Sequence, residues 1–457
     1  MKLPLLLCML LACCAVAAAQ GGASVEVWMS SENGDYALSQ MPGIPLEAAT
    51  NEAGIVIDPR KTCQTILGMG ASFDHASWYN WSLLDEAARA EVIRKLFDPD
   101  AGIGMNLMRL CIGTSDFAGE PWYSYDDMPE GETDLELDHF SIDKDRAYLL
   151  PAVKAAQAAN PDLLLFASPW SPPGWMKTTG TMLAGKLKPE YYGVYARYLL
   201  RFLRAYENEG VPIHALTLQN EPAHIDPAYP TCLWTGEGQR DFIRDHVGPL
   251  FAGGNITAKL WCWDHNYNRL EFPRAVLSDP AAAQYVDGTA FHFYEGEVEA
   301  MSQLRGEFPD KHLYFTEGST FRTRGAIQLI GILRNWARSY SAWVIMLDEN
   351  RKPNNGPHFA SRTCLEFDSK TRQVAYRFDY YMYGQFMKFI HRGAVRVEST
   401  PGTAKFDHIA LRNPGGALVM VAANAGNAPQ TFRARCGKAE FAASLPARSV
   451  ATFRWMP

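Results

Sequence analysis

Two glutamates in this chain stand in the same local setting. Leu216-Thr217-Leu218-Gln219-Asn220-Glu221-Pro222 runs from residues that suit a buried strand into a polar triplet, and a proline then stops the pairing. His312-Leu313-Tyr314-Phe315-Thr316-Glu317-Gly318 repeats the construction, an apolar strand ending on a glutamate before a glycine. A carboxylate at a strand end is held on a rigid element and aimed beyond the sheet. A lone Glu-Pro more often caps a loop or the next helix, but two such ends in one chain suggest a working pair. Glycosidic cleavage needs such a pair, one carboxyl to protonate the leaving oxygen and one to attack the anomeric carbon.

The elements that would position them follow a regular alternation. From residue 64 onward, apolar patterning predicts strands at 65–73, 105–113, 163–170, 214–221, 258–264, 287–294, 312–317 and 341–347. Helical spacing lies between them at 83–97, 145–159 (with Asp143 as cap), 190–209, 237–251, 269–277, 298–308 and 325–338. Eight such units are what a (β/α)8 barrel requires, whereas a doubly wound sheet rarely takes eight. Functional residues of a barrel sit at the C-terminal ends of its strands. Those ends carry Phe73-Asp74, Arg109 with Asp116 just beyond, Pro169-Trp170, Asn220-Glu221, Asp264-His265-Asn266, His292-Phe293-Tyr294, Glu317 and Trp343. Strands four and seven then place Glu221 and Glu317 across the barrel mouth from one another. Acids, amides and aromatic faces suit a neutral sugar, whose C–H faces stack on indole while its hydroxyls bond to carboxylates. Asp74 either lines this site or caps the loop that follows it.

The flanks read differently. Residues 24–60 are short strand-like pieces punctuated by Gly and Pro, and 386–457 are short alternating runs separated by turn signals such as Asn413-Pro414-Gly415-Gly416. Together they predict a small all-β sandwich built from both chain ends, with the barrel spanning 61–385. Residues 1–19 read as a secretory signal: Lys2, an apolar run, then Ala17-Ala18-Ala19. Lipid attachment at Cys13 is the variant reading, so the expected location is secreted or periplasmic. Six cysteines follow the signal, Cys63, Cys111, Cys232, Cys262, Cys364 and Cys436, and export makes disulfides possible.

Several function classes are excluded. A net charge of −7 without a Lys/Arg-rich run argues against a nucleic-acid surface. No later apolar run reaches the ~18 residues of a membrane span, and no spacing suggests zinc or another metal site. In Gly68-Met69-Gly70-Ala71-Ser72-Phe73 a phenylalanine stands where a dinucleotide loop needs its third glycine. The Asn/Asp-rich stretch 348–355 reads as turns rather than a calcium loop. No cofactor is expected.

Longer stretches carry a resemblance. They are Met108-Arg109-Leu110-Cys111-Ile112-Gly113-Thr114-Ser115-Asp116-Phe117, Ala167-Ser168-Pro169-Trp170-Ser171-Pro172-Pro173-Gly174-Trp175-Met176-Lys177-Thr178, Leu218-Gln219-Asn220-Glu221-Pro222, Gln239-Arg240-Asp241-Phe242-Ile243, His292-Phe293-Tyr294 and Phe315-Thr316-Glu317. In these the chain resembles glycoside hydrolase family 30, in particular its glucosylceramidase (acid β-glucosidase) branch. The resemblance implies a retaining mechanism, with Glu221 as general acid/base and Glu317 as nucleophile. It further implies that the charge on Glu317 keeps Glu221 protonated at rest. Asn220 would bond the sugar 2-hydroxyl, Asp116 would bind hydroxyls, and Trp170 would line the sugar pocket with Trp343 as part of its floor. Arg109 would orient Glu317, while Tyr294 and His292 would hold the two carboxyls. The chain departs from that branch at Trp343-Val344, where Trp-Asn is usual, and in a lengthened loop at 348–357. Hydrolysis of glucosylceramide-like β-glucosides is therefore the leading expectation, with endo-β-1,6-glucanase action as the alternative. A glycan-binding protein without turnover is a third reading, disfavoured because both carboxylates are present. The expected partner is a carbohydrate or glycolipid substrate; the oligomeric state is open.

Overall fold

The computed structural model describes residues 24–50, 54–119, 121–357 and 362–457. The expected signal segment and Cys13 lie outside these residues. Eight parallel strands, numbered here β1 to β8, form a barrel: β1 Gly68–Ser72, β2 Leu107–Ile112, β3 Leu164–Pro169, β4 Ala215–Thr217, β5 Lys259–His265, β6 Val286–His292, β7 His312–Glu317 and β8 Ser339–Ala342. From β1 to β7 each strand pairs with the next, and β8 pairs with β1. The β7–β8 seam closes where Arg338 N donates to Leu313 O at 2.8 Å.

The barrel is packed rather than hollow. Leu107, Phe166, Ala215, Trp261, Ala290 and Tyr314, one from each of β2 to β7, form a buried apolar plug, with the Trp261 and Tyr314 rings stacked 3.9 Å apart. Strand side chains alternate with period two. Two residues further toward the C-terminal end, the same inward face therefore presents Arg109, Ser168, Thr217, His292 and Thr316, all buried. An apolar plug thus supports a polar layer.

On β5 this alternation breaks. Ala290 of β6 pairs with Trp263 but Phe291 pairs with His265, which leaves Asp264 as an inserted bulge residue. Trp263 and Asp264 both have φ of +73°, a left-handed backbone uncommon for such residues. Trp263 consequently turns outward onto Phe272, ring centroids 4.5 Å apart, and Asp264 takes the inward place in the polar layer.

Other elements depart from the periodic reading. β4 stops at Thr217, four residues before Glu221, because Gln219 Nε2 donates to Trp170 O at 2.7 Å and Asn220 N to Pro169 O at 2.8 Å. The eighth strand is shifted: β8 ends at Ala342, and Met346–Asp348 pairs instead with Leu365–Phe367 in a separate three-stranded sheet. The helix expected at 83–97 begins at Glu86, where Asp85 caps it by accepting from Ala88 N at 2.8 Å, and a further helix, His75–Ser82, precedes it unforeseen. Asp143 does not cap. It lies in the first turn of a short helix, Asp143–Ala147, that precedes Leu149–Ala159. Asp145 points inward to accept from the hydroxyls of Tyr123, Tyr125 and Tyr206.

Both chain ends meet in one ten-stranded sheet that encloses a second core, including Val25, Val27, Met420, Phe441, Phe453 and Trp455. Ser24–Ser31 pairs with Ser449–Trp455, and Ile55–Thr65 with Val395–Ser399. The latter pairing runs to Thr65, so the sandwich sheet extends past residue 60. All six described cysteines are free. No helix among the described residues is long and apolar enough to cross a membrane.

Candidate active site

A cavity of about 580 Å3 opens at the C-terminal end of the barrel. Seven of the nine residues singled out from sequence line it: Asp116, Trp170, Asn220, Glu221, Tyr294, Glu317 and Trp343. The other two, Arg109 and His292, lie directly beneath with no exposure.

Glu317 ends β7 with two donors on its carboxyl. Arg109 Nη1 bonds one oxygen, and Tyr294 OH donates to the other at 2.8 Å. Arg109 also donates through Nη2 to Asn220 Oδ1 at 2.8 Å, which fixes the asparagine amide's orientation. Burial together with the charges of Glu317 and Glu221 raises Tyr294 well above the ordinary tyrosine range, so it stays a donor. The guanidinium carbon of Arg109 lies 4.8 Å from the Trp170 ring centroid. Trp170 stacks on Trp343 at 5.1 Å, and Phe117 meets Trp343 edge-on at 5.6 Å. These indoles make an aromatic floor.

Glu221 leaves β4 on a left-handed backbone, φ +49°. Its Oε1 is 3.0 Å from His292 Nδ1 and 3.7 Å from His265 Nε2. Burial alone would raise the Glu221 carboxyl, but the His292 hydrogen bond and the two imidazoles hold it below the usual range. Burial opposes a charge on His292, yet Glu317, Asp264 and Glu221 around it raise its pKa to about 9. These groups favour an ionised Glu221, against the expectation that the charge of Glu317 keeps it protonated. Arg109 and Tyr294 both hold the Glu317 carboxyl, which lessens the push of its charge on Glu221.

Asp116 lines the cavity with its carboxyl pushed well up by burial and then by the charge of Glu317. The 348–357 loop braces it. Asn355 N and Gly356 N donate to Asp116 O at 3.1 and 3.2 Å, and a Cβ on Gly356 would come 2.6 Å from Asp116 Cβ. Asp348 closes the loop as a turn, accepting at Oδ1 from Asn350 N and Lys352 N. Asp74 resolves as a cap, accepting from Ser77 N at 3.0 Å.

Sequence reasoning assigned no role to Asp264, which is the hub of the polar layer. Its Oδ2 accepts from Arg109 Nη2 and Ser168 Oγ, both at 3.0 Å, and lies 2.6 Å from Thr217 Oγ1. Its Oδ1 accepts from Thr316 Oγ1 at 2.6 Å and lies 3.1 Å from His292 Nε2. Burial would raise Asp264, but Arg109 and His292 outweigh it and the carboxyl stays ionised. The available signal was Ser168, Thr217 and Thr316, hydroxyls inside otherwise apolar strands.

One atom each from Glu221, His292 and Glu317 lie within 4.8 Å of one another, a spacing a cation could use. The donors are already engaged: Arg109 holds Glu317, and both His292 nitrogens face carboxylates. The arrangement suits two carboxyls acting on a neutral ligand laid on the indole floor.

The glycosyl hydrolase family 30 TIM-barrel domain matches residues 66–390, and the family's beta sandwich domain matches 393–453. An endo-1,6-beta-D-glucanase of Neurospora crassa is 32% identical over 400 residues, covering 82% of each chain. The lysosomal acid glucosylceramidase of Mus musculus is 30% identical over 403 residues, 81% of this chain and 77% of that one. Among solved structures, the endo-beta1,6-glucanase BT3312 superposes with a TM-score of 0.87 at 27% identity, over 95% of this chain and 99% of that chain. With both domains matched in order and the carboxyl pair at the barrel mouth, the chain belongs to glycosyl hydrolase family 30 and is a glycoside hydrolase.

Proposed function

We propose that the protein is a retaining β-glycosidase that cleaves β-1,6-linked glucan, with Glu317 as nucleophile and Glu221 as acid/base. The carrying observation is that carboxyl oxygens of Glu221 and Glu317 approach within 4.8 Å. Retaining pairs stand ~5–5.5 Å apart, whereas inverting pairs leave ~6.5–9.5 Å for a water. In the first step Glu317 attacks the anomeric carbon while Glu221 protonates the departing oxygen, giving a glycosyl ester on Glu317. In the second, Glu221 takes a proton from water, which displaces Glu317. Asn220 bonds the 2-hydroxyl, Asp116 accepts from other hydroxyls, and Trp170 and Trp343 stack beneath the ring.

The sequence resemblance ranked glucosylceramide first, and two observations favour the glucan instead. The cavity lining includes the polar side chains of His224, Asn268, Arg269 and Glu295, suited to further sugar hydroxyls, beside the rings of Phe293 and Phe321. Among the described residues, the large exposed apolar side chains number five, of which only Tyr294 lines the cavity. A ceramide would need a contiguous apolar patch there. The named β-1,6-glucanases among the relatives support the same choice. Export through residues 1–19 belongs to this proposal, since a glucan polymer is met outside the cell.

The test is a product profile on β-1,6-glucan, glucosylceramide and an aryl β-glucoside, with proton NMR of the first-formed anomer. Oligosaccharides from β-1,6-glucan and an initial β-anomer are expected. An initial α-anomer overturns retention, and cleavage of glucosylceramide alone restores the lipid reading.

A further inference from the structure

We propose that Asp264 and His292 are positioning residues that hold and return the catalytic proton of Glu221 through a single atom, His292 Nδ1. This deepens the acid/base role proposed for Glu221 and rests on it.

The tautomer follows from the geometry. Asp264 is fully buried and surrounded by donors: Arg109, Ser168, Thr217 and Thr316 all lie within hydrogen-bond reach of its two oxygens. An ionised carboxylate only accepts, so His292 Nε2, 3.1 Å from Asp264 Oδ1, must carry a hydrogen. The exchangeable position is then Nδ1, 3.0 Å from Glu221 Oε1. Two states of equal net charge differ only in the place of one proton. Either Nδ1–H faces a Glu221 carboxylate, or the neutral Nδ1 lone pair faces a Glu221 carboxylic acid.

The proton balance covers both half-reactions. Nδ1–H passes its proton to Glu221, and Glu221 passes it to the oxygen whose bond to the anomeric carbon breaks. Glu221 is left as an anion facing the Nδ1 lone pair, a repulsive arrangement that strengthens it as a base. Water then gives Glu221 a proton as its oxygen bonds the anomeric carbon, and that proton returns to Nδ1. Glu317 stands 3.9 Å from Nδ1. Its charge disappears in the glycosyl ester and reappears on release, so the imidazole holds its proton less tightly during the base step. The remaining groups that face the His292 ring are His265 and Tyr294, with centroids 6.1 and 6.2 Å away. Neither supplies a second acceptor for Nε2.

Two measurements decide the matter. Nitrogen NMR of 15N-histidine-labelled native protein, with His292 assigned by its loss in His292→Gln, should show Nε2 protonated throughout the stable pH range and Nδ1 as the titrating atom. Nδ1–H with a bare Nε2 at neutral pH overturns the proposal, whatever the substrate proves to be. In Asp264→Asn, kcat on phenyl β-glucoside should fall about 100-fold, while 2,4-dinitrophenyl β-glucoside, which needs no acid, falls less than about 10-fold. An equal loss on both substrates means Asp264 is only structural and overturns the relay. Absence of turnover in the native chain removes the glycosidase reading, and the tautomer measurement still decides this one.

Discussion

Glu221 and Asp264 are joined by their backbones as well as through His292: Glu221 N donates to Asp264 O at 3.0 Å, and both residues adopt left-handed φ, +49° and +73°. Non-glycine residues in this region cost of order 1–3 kcal/mol each and persist where their surroundings over-determine them. Here the gain is placement. The β5 bulge turns Asp264 into the polar layer, and the bend after β4 swings the Glu221 carboxyl over His292. The acid and the anion beneath it are set by one local distortion shared by neighbouring strands.

Replacing either carboxyl should separate the two steps. Glu317→Gln removes the nucleophile and should abolish turnover on every substrate. Glu221→Ala should lose about 100- to 10000-fold on β-1,6-glucan, whose leaving alkoxide needs a proton, but should still form the glycosyl ester from a dinitrophenyl glucoside. Azide should then release a β-glycosyl azide, read by NMR. Full activity of Glu221→Ala on the glucan would reverse the roles assigned.

Much of this was readable before any coordinates. A glutamate before a strand breaker, found twice in an eightfold alternation, located Glu221 and Glu317. Strand ends offered the residues around them, and the family resemblance selected which of these carry roles. Asp264 escaped a role because period two, counted from Trp261, points Trp263 inward; only the pairing with β6 reveals the inserted residue. The three-stranded sheet at Met346–Asp348 was unreadable, since two- and three-residue strands carry no alternation. The bracing of Asp116 by Gly356 joins residues 240 positions apart, and no local pattern encodes it. Asp143 was a reasonable cap by type, but the three tyrosine hydroxyls that draw Asp145 inward come from distant segments.

Arg109 should matter to stability as much as to chemistry. It is unexposed and answers two buried carboxylates, Asp264 and Glu317. Removing one member of a buried ion cluster leaves uncompensated charge and costs about 3–5 kcal/mol. Arg109→Met should lower the urea midpoint accordingly. Adding Asp264→Asn should recover part of the loss, which a double-mutant cycle would register as favourable coupling. Strictly additive effects would mean that the pair is not coupled.

Tyr294 has a half-exposed ring whose hydroxyl reaches Glu317 Oε1 at 2.8 Å. A hydrogen bond to a charged group is worth about 1.5–3 kcal/mol, so Tyr294→Phe should lower kcat/KM by about 10- to 150-fold. The fold should be unaffected, because the ring remains. The loss should appear equally with good and poor leaving groups, since the bond acts on the nucleophile and not on the acid. A loss confined to poor leaving groups would move Tyr294 to the Glu221 side.

Asp74 offers a test of stability against pH at a residue outside the cavity lining. Burial raises its carboxyl from 3.8 to about 7, and among the described residues its Oδ2 has no partner while Oδ1 caps the helix His75–Ser82. A carboxyl that binds its proton more tightly folded than unfolded favours the fold while protonated. Stability is therefore lost as pH rises from about 4 to about 7, by up to about 4 kcal/mol for a shift of that size. Asn keeps the cap acceptor and cannot ionise. Asp74→Asn should thus be more stable than the native chain at pH 8 and near parity at pH 4, measured by urea denaturation at both values. A difference independent of pH would place the Asp74 carboxyl in the ordinary range.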